Sequence, residues 1–452
     1  MFRKVLVANR GEIAMRVIRA CRELGIRTVA VHSEADAGAL HVRFAHEAVC
    51  IGPAPAARSY LHVPALISAA EITAADAIHP GYGFLSENAE FAQVVERCGL
   101  HFIGPRAEAM QRWGDKLRAR EIAEKFGLPL LPGSEALENV EHAEAEAARV
   151  GYPVMVKARG GGGGRGMRIV RSSSEMRRAF ESATAEAMNA FRNPELYLER
   201  FVERPKHVEF QVLADEHGQV FTLGERECSL QRKNQKLIEE APSPSVSDEL
   251  RLEMSQRIRH AVRETGYTSL GTLEFLMDGE GRLYFMEMNT RVQVEHPVTE
   301  MVTGVDLVRE QILAAAGHRL SLPETVPLAG HSIECRIMAE DPATCAPWPG
   351  KISEYLVPGG LGIRVDSGVF AGWTVPSHYD SLLAKLIAHA PTRGEALARM
   401  RRALDEFIIG GIRTNIPLQR RLIDLPEVVD ASMTTRTVEH LLLGDAVARS
   451  RN

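Results

Sequence analysis

Apolar and polar positions near the N-terminus follow two rhythms. Val5-Leu6-Val7-Ala8 is a short apolar run, and the turn Asn9-Arg10-Gly11 follows. Ile13, Val17, Ala20, Cys21 and Leu24 then recur at spacings of three and four, which lines one face of a helix. Gly25 stops that helix, and Thr28-Val29-Ala30-Val31 reads as the next strand. Similar units return through Ala77-Ile78 and Phe102-Ile103-Gly104. Strand and helix in alternation predict a parallel sheet, so residues 1–113 read as a nucleotide-binding-like α/β domain.

The rhythm then changes. A helix near 116–126, a turn at Leu131-Pro132-Gly133, an acidic Ala-rich helix near 140–150 and a strand over 152–158 come first. His207-Val208-Glu209-Phe210-Gln211-Val212 alternates polar and apolar residues, as a half-buried strand does, and 270–289 reads as a hairpin. After about 330, turns such as Pro347-Trp348-Pro349-Gly350 separate short segments, and helices near 393–407 and 434–447 close the chain. The fold class is α/β followed by α+β, in several domains.

Composition adds bounds. The chain has 452 residues, 45% of them apolar, with formal net charge −5. That length suits about three domains, and the composition excludes disorder and collagen. A mildly acidic chain has no global attraction for nucleic acid. No apolar run reaches the ~18 residues of a membrane span, and the N-terminus lacks the pattern of a signal peptide. The six cysteines are scattered without a CxxC pair, which predicts free thiols in a reducing cytoplasm.

The loudest local feature is Arg159-Gly160-Gly161-Gly162-Gly163-Gly164-Arg165-Gly166. It lies between strand-like Pro153–Lys157 and Met167–Val170, a hairpin-loop length, although a flexible linker is the plain alternative. Gly161, Gly163 and Gly166 satisfy GxGxxG, but a strand follows where a dinucleotide turn needs a helix. No GxxxxGK[ST] occurs. A glycine hairpin with bare amides, Lys157 before it and Arg165 within it, suits phosphate binding.

The segments Gly271-Thr272-Leu273-Glu274-Phe275-Leu276 and Leu283-Tyr284-Phe285-Met286-Glu287-Met288-Asn289 form the second signal. Pairing Asp278 with Leu283 around a four-residue loop sets Glu274 opposite Glu287 and Thr272 opposite Asn289. Facing carboxylates repel unless a cation sits between them, and oxygen-only ligands suit Mg²⁺. In a different register one acid simply faces solvent. The string Asn289-Thr290-Arg291-Val292-Gln293-Val294-Glu295-His296-Pro297, if extended, puts Arg291, Gln293 and Glu295 on one face. An arginine near a carboxylate there can hold a small oxyanion beside a base, or the face can merely be solvated. Gln231-Arg232-Lys233-Asn234-Gln235-Lys236 reads alone as a basic loop, and Arg336 in Glu334-Cys335-Arg336 as an ion pair.

Together these strings resemble the biotin carboxylase family of the ATP-grasp superfamily. The resemblance covers essentially the whole chain. It rests on Ala8-Asn9-Arg10-Gly11-Glu12-Ile13-Ala14, His79-Pro80-Gly81-Tyr82-Gly83-Phe84-Leu85-Ser86-Glu87-Asn88, the glycine hairpin, Glu287–Pro297 and Glu334-Cys335-Arg336. It implies a Rossmann-like N-terminal domain at 1–113 and an ATP-grasp domain at 114–330 with a mobile lid at about 131–203. A mainly antiparallel β domain with helices would follow at 331–447.

The implied activity is carboxylation of biotin by bicarbonate and ATP through carboxyphosphate. Lys116 and Lys157 would bind ATP phosphates, with Gly162 and Gly163 in the closing lid. Glu199, Arg200 and Val202 would hold adenine, with His207 and Gln231 along the ribose and phosphates. Glu274, Glu287 and Asn289 would hold Mg²⁺ or Mn²⁺. Lys236, Arg291, Gln293 and Val294 would hold bicarbonate, with Glu295 as its base. Arg336 would stabilise the biotin enolate.

No methionine precedes a lysine and the chain ends at Asn452, so biotin is expected on a separate biotin carboxyl carrier protein, with carboxyltransferase subunits completing the enzyme. Acetyl-CoA carboxylase of fatty acid synthesis is the expected setting, with pyruvate, 2-oxoglutarate and propionyl-CoA carboxylases as alternatives. A carboxylate–amine ligase and a non-catalytic nucleotide-binding regulator are the rival readings. Arg19, Glu23 and Arg364 match the family's homodimer contact, whereas Leu361 replaces an aromatic there. Asn234 stands where His is common.

Overall fold

The computed structural model describes residues 1–160 and 166–450, with side chains through 444. Gly162, Gly163 and Arg165 lie outside the described residues. The N-terminal sheet is parallel, in the order Glu47–Cys50, Arg27–His32, Lys4–Val7, Ala77–His79, His101–Phe102. The helix Gly11–Glu23 follows the first strand, and Gly25 takes φ +71 just beyond it. Its Ile13, Val17 and Cys21 do form a buried face, and they share a core with Leu213, Leu270, Val292 and Leu307 from the next region. A polar residue beside that face is buried too. Arg16 reaches Glu300 at 2.7 Å and Asp306 at 2.5 Å. Near the helix start, a Cβ on Gly368 would fall 2.7 Å from the amide nitrogen of Glu12, so only glycine lets that loop approach so closely.

The main sheet has eight antiparallel strands. Its order is Leu283–Asn289, Ser269–Met277, Lys206–Ala214, Val220–Arg232, Gln235–Ala241, His331–Met338, Leu382–Ala390, Ile363–Ser367. One continuous hydrogen-bonded surface therefore carries the acid hairpin at one edge and the strand of Arg336 near the other. A separate three-stranded sheet, Met167–Val170, Val154–Ala158, Leu196–Arg200, holds the glycine hairpin. Helices Val140–Val150 and Ser173–Phe191 cover it through Ala143, Ala147, Ala183 and Ala187. Small residues let these helices approach the sheet closely. The closing helices run Arg393–Glu406 and Thr437–Ser450.

Two expectations are corrected. The closing pair of the acid hairpin is Met277–Leu283, around five residues, and Asp278 stays in the turn, where its carboxylate accepts from the amides of Glu280 and Arg282. A bulge that leaves Met286 over then restores the register, so Glu274 opposes Glu287 and Thr272 opposes Asn289 after all. The 289–297 string is not an extended strand either. Glu295 has φ −79 and ψ 10 and begins the helix His296–Thr303, so it turns away from the Arg291–Gln293 line. All six cysteines are free, and no described helix is long and apolar enough to cross a membrane.

Candidate functional site

Burial decides the electrostatics of the main-sheet site. Lys236 sits at its centre. Its Nζ lies 2.5 Å from Glu209 Oε2, 2.6 Å from Glu295 Oε1 and 3.1 Å from Glu274 Oε1. Burial pulls its ammonium pKa down, but these three carboxylates outweigh burial and hold it well above its ordinary value. The same contacts act in reverse on the acids. Burial pushes Glu295 up, and Lys236, Arg336 and Arg226 together hold it well below the usual carboxylate range. Glu274 is likewise depressed against burial, mainly by Lys236 and then His207. Glu274 Oε1 also accepts from Asn289 at 2.8 Å and Gln293 at 3.2 Å.

Arg336 is clamped on one side only. Its Nε donates to Glu239 at 2.6 Å, and its Nη2 reaches Glu239 at 2.5 Å and Glu295 at 3.0 Å. Nη1 makes no hydrogen bond among the described residues, and Arg336 lines a cavity of about 470 Å³ with Glu12, Tyr82, Gln235 and Val294. Burial pushes Glu239 up to about 7, against the pull of Arg336. Arg291 is held by Glu87 at 2.9 Å, Gln293 at 2.8 Å and Asn289 at 3.2 Å. The structure thus brings Lys236, Glu274, Asn289, Arg291, Gln293, Glu295 and Arg336 into one connected network.

The residues expected on the nucleotide side form a second group. Lys157 and Arg120 both pair with Glu199, which is 4% exposed. Burial pushes the Glu199 carboxyl up, and these cations outweigh it and hold it low. Lys157 opposes Tyr197 in the small sheet, and Arg200 opposes Val154. Arg200 is exposed and Val202 half-buried just after the strand. Lys116 opens the helix Lys116–Lys125, capped by Asp115, and its Nζ lies 3.3 Å from Glu287. His207 Nδ1 meets Gln231 at 2.6 Å, and Nε2 points at Glu274, 3.2 Å away.

Glu274 and Glu287 present carboxylates on opposed positions, Asn289 adds an amide oxygen two residues beyond Glu287, and Glu287 keeps 37% of its side chain open. That donor set suits a hard divalent cation such as Mg²⁺. His207, Glu209 and Glu274 also bring ligand atoms within 4.8 Å of one another. Lys236 already supplies positive charge there, through Glu209 and Glu274.

Asn234 has a local explanation. Arg232 pairs with Gln235, so Lys233 and Asn234 are a two-residue hairpin turn, with φ 49 and 64. Positive φ at both positions is what a type I′ turn needs, and Asn tolerates it. Sequence reasoning missed Arg120, Glu209, Arg226 and Glu239. Arg226 is fully buried and bonds Glu209 at 2.6 Å and Gln211 at 2.8 Å. A glutamate and a glutamine within the alternating strand 207–212 were the available signal for its partners.

Parallel α/β domain, glycine hairpin and facing acids define an ATP-grasp architecture. The description "Biotin carboxylase, N-terminal domain" matches residues 1–110, "Carbamoyl-phosphate synthase L chain, ATP binding domain" matches 115–323, and "Biotin carboxylase C-terminal domain" matches 334–440. The chain is 54% identical to a biotin carboxylase of Haemophilus influenzae over 427 residues, covering 94% of this chain and 95% of that one. A Campylobacter jejuni biotin carboxylase crystallised with βγ-ATP superposes with TM-score 0.95 at 44% identity, covering 97% and 99%. The biotin carboxylase domain dimer of Hydrogenobacter thermophilus 2-oxoglutarate carboxylase, crystallised with MgADP, ADP and bicarbonate, superposes with TM-score 0.93 at 50% identity, covering 97% and 98%. The chain belongs to the biotin carboxylase family.

Proposed function

We propose that this chain is the ATP-dependent ligase that carboxylates biotin N1 with bicarbonate. The observation that carries the reading is the convergence of Lys236, Glu295 and Arg336, with Arg336 lining the cavity. Lys116, Lys157, Gly162 and Gly163 bind the ATP phosphates. Glu199, Arg200, Val202, His207 and Gln231 contact the nucleoside. Glu274, Glu287 and Asn289 hold Mg²⁺ or Mn²⁺, which neutralises phosphate charge when bound.

Arg291, Lys236, Gln293 and the backbone of Val294 hold bicarbonate. Bicarbonate is a weak nucleophile, so Glu295 removes its proton as its oxygen attacks the γ-phosphorus, and ADP leaves. The resulting carboxyphosphate splits to CO₂ and phosphate. The released phosphate takes the N1 proton, Arg336 stabilises the negative charge this leaves on the biotin ureido oxygen, and N1 attacks CO₂. Glu295 is held ionised at neutral pH by Lys236 and Arg336 against its burial, which keeps it able to accept a proton.

The biotin arrives on a carrier protein, and carboxyltransferase subunits use the product. We assign the acceptor as acetyl-CoA, for fatty acid synthesis in the cytoplasm, with pyruvate, 2-oxoglutarate and propionyl-CoA as alternatives. Support for a homodimer is the match of Arg19, Glu23 and Arg364 to the family's contact; Arg19 and Arg364 both reach Asp366, and Leu361 is 83% exposed. Residues 1–113, 114–330 and 331–447 act as the N-terminal, ATP-grasp and C-terminal domains. The test is ATP cleavage with and without bicarbonate and free biotin. Cleavage stimulated by biotin only when bicarbonate is present supports the reading; cleavage indifferent to both overturns it.

A further inference from the structure

Lys385 is the least expected charge in the molecule. It lies mid-strand in Leu382–Ala390 and its side chain is 0% exposed. A lysine is rarely buried without a strong reason. It directly opposes Arg336 across the ladder, so two cations stand side by side on one face of the sheet. Glu334 lies two positions before Arg336 on that same face, fully buried, and neither carboxyl oxygen has a hydrogen-bond partner among the described residues. Burial pushes Glu334 well above the usual carboxylate range, and neither of its oxygens bonds the Lys385 ammonium among the described residues. The contacts of Lys385 lie elsewhere. Its Nζ lies 3.1 Å from Glu12 Oε2 and donates to the Val294 carbonyl at 3.0 Å.

Both partners lead to the cavity. Glu12 is in the first turn of helix Gly11–Glu23, and its other oxygen accepts from the Tyr82 hydroxyl. Tyr82, Val294 and Arg336 all line the cavity. The Val294 carbonyl shares its rigid peptide plane with the amide of Glu295. One ammonium thus ties an N-terminal helix, the segment entering Glu295 and a C-terminal strand.

We propose that Lys385 is a positioning residue for carboxyl transfer to biotin, acting through Glu12 on Tyr82 and through the Val294 carbonyl on Glu295. This rests on the biotin carboxylase reading above. A purely structural buried pair explains the Glu12 contact, but not the second contact to the backbone that enters Glu295. Among the described residues Lys385 Nζ contacts Glu12 and Val294 and not Lys116, Lys157 or Glu199, so its loss should spare ATP binding.

The test is steady-state kinetics of Lys385→Met with free biotin and with ATP as the varied substrate. The expected result is a fall of about tenfold or more in kcat/KM for biotin, with the KM for ATP within about twofold of the parent. Glu12→Gln keeps side-chain volume and should shift the same ratio in the same direction, which reads the effect if Lys385→Met does not fold. Parent-like kcat/KM for biotin in either folded variant overturns the assignment, as does a KM for ATP that rises as much as kcat/KM for biotin falls. A parent enzyme without biotin-dependent turnover overturns the functional reading, and this assignment with it. Parent turnover with an unshifted variant ratio overturns this assignment alone.

Discussion

Glu274 and Glu287 face each other across one hairpin, yet their charges are met from opposite sides. Lys236 and His207 approach Glu274 from within the main sheet, and Lys116 approaches Glu287 from a helix start. The pair therefore stands where the two halves of the site meet. One acid is locked into the network around Lys236 and the other stays partly open.

That asymmetry sets the first prediction. Glu287→Gln should lower turnover by about 100-fold or more, because a neutral amide is a poor ligand where phosphoryl charge must be neutralised. Its thermal unfolding should match the parent's, since Glu287 has few buried partners. Parent-like turnover at saturating Mg²⁺ would contradict the metal role.

Arg336→Ala should separate two activities. Biotin carboxylation should fall by about 100-fold or more, and bicarbonate-dependent ATP cleavage much less. The variant should also unfold earlier, because Glu239 is left buried without its partner. Adding Glu239→Gln should recover stability without recovering carboxylation. Recovery of both, measured by denaturation and by turnover, would make Arg336 a structural ion pair.

How much of this was legible along the chain depends on the kind of order involved. The face of helix Gly11–Glu23 and the parallel N-terminal sheet follow from periodicity, which local sequence records, whereas the Glu274–Glu287 opposition holds only because the bulge offsets a turn one residue longer than expected. The bulge at Met286 was not legible, because skipping one residue leaves the alternation of a mostly buried hairpin looking regular. Glu225, Arg226 and Glu227 carried no signal along the chain, yet all three are buried. Their partners come from other strands and helices, and no local pattern records them. Lys385 was silent for the same reason: Glu12 is 373 positions away.

Glu239 carries a prediction for stability against pH. Its folded pKa is raised to about 7 by burial, above the ordinary 4.5. The native state then binds more protons than the unfolded chain between those values, so its contribution to stability falls as pH rises through that window. Glu239→Gln should lose less stability than the parent between pH 5 and pH 8. Urea denaturation at both pH values checks it, and a parent–variant difference constant with pH would contradict it.

The turn at Lys233-Asn234 offers a purely structural check. Asn234 has φ 64, which a β-branched residue adopts only with strain. Asn234→Val should cost about 1–2 kcal/mol in chemical denaturation, and Asn234→Gly should cost far less. Equal stability of the two variants would show that the turn relaxes to another conformation.

The most direct measurement follows the carbon. The purified chain is given isotopically labelled bicarbonate, ATP, Mg²⁺ and free biotin, and labelled carboxybiotin is counted against ADP released. The account predicts labelled carboxybiotin that requires ATP and Mg²⁺, vanishes in Arg336→Ala and never exceeds the ADP formed. ADP release with no label on biotin, across biotin concentrations that saturate any stimulation, would contradict it.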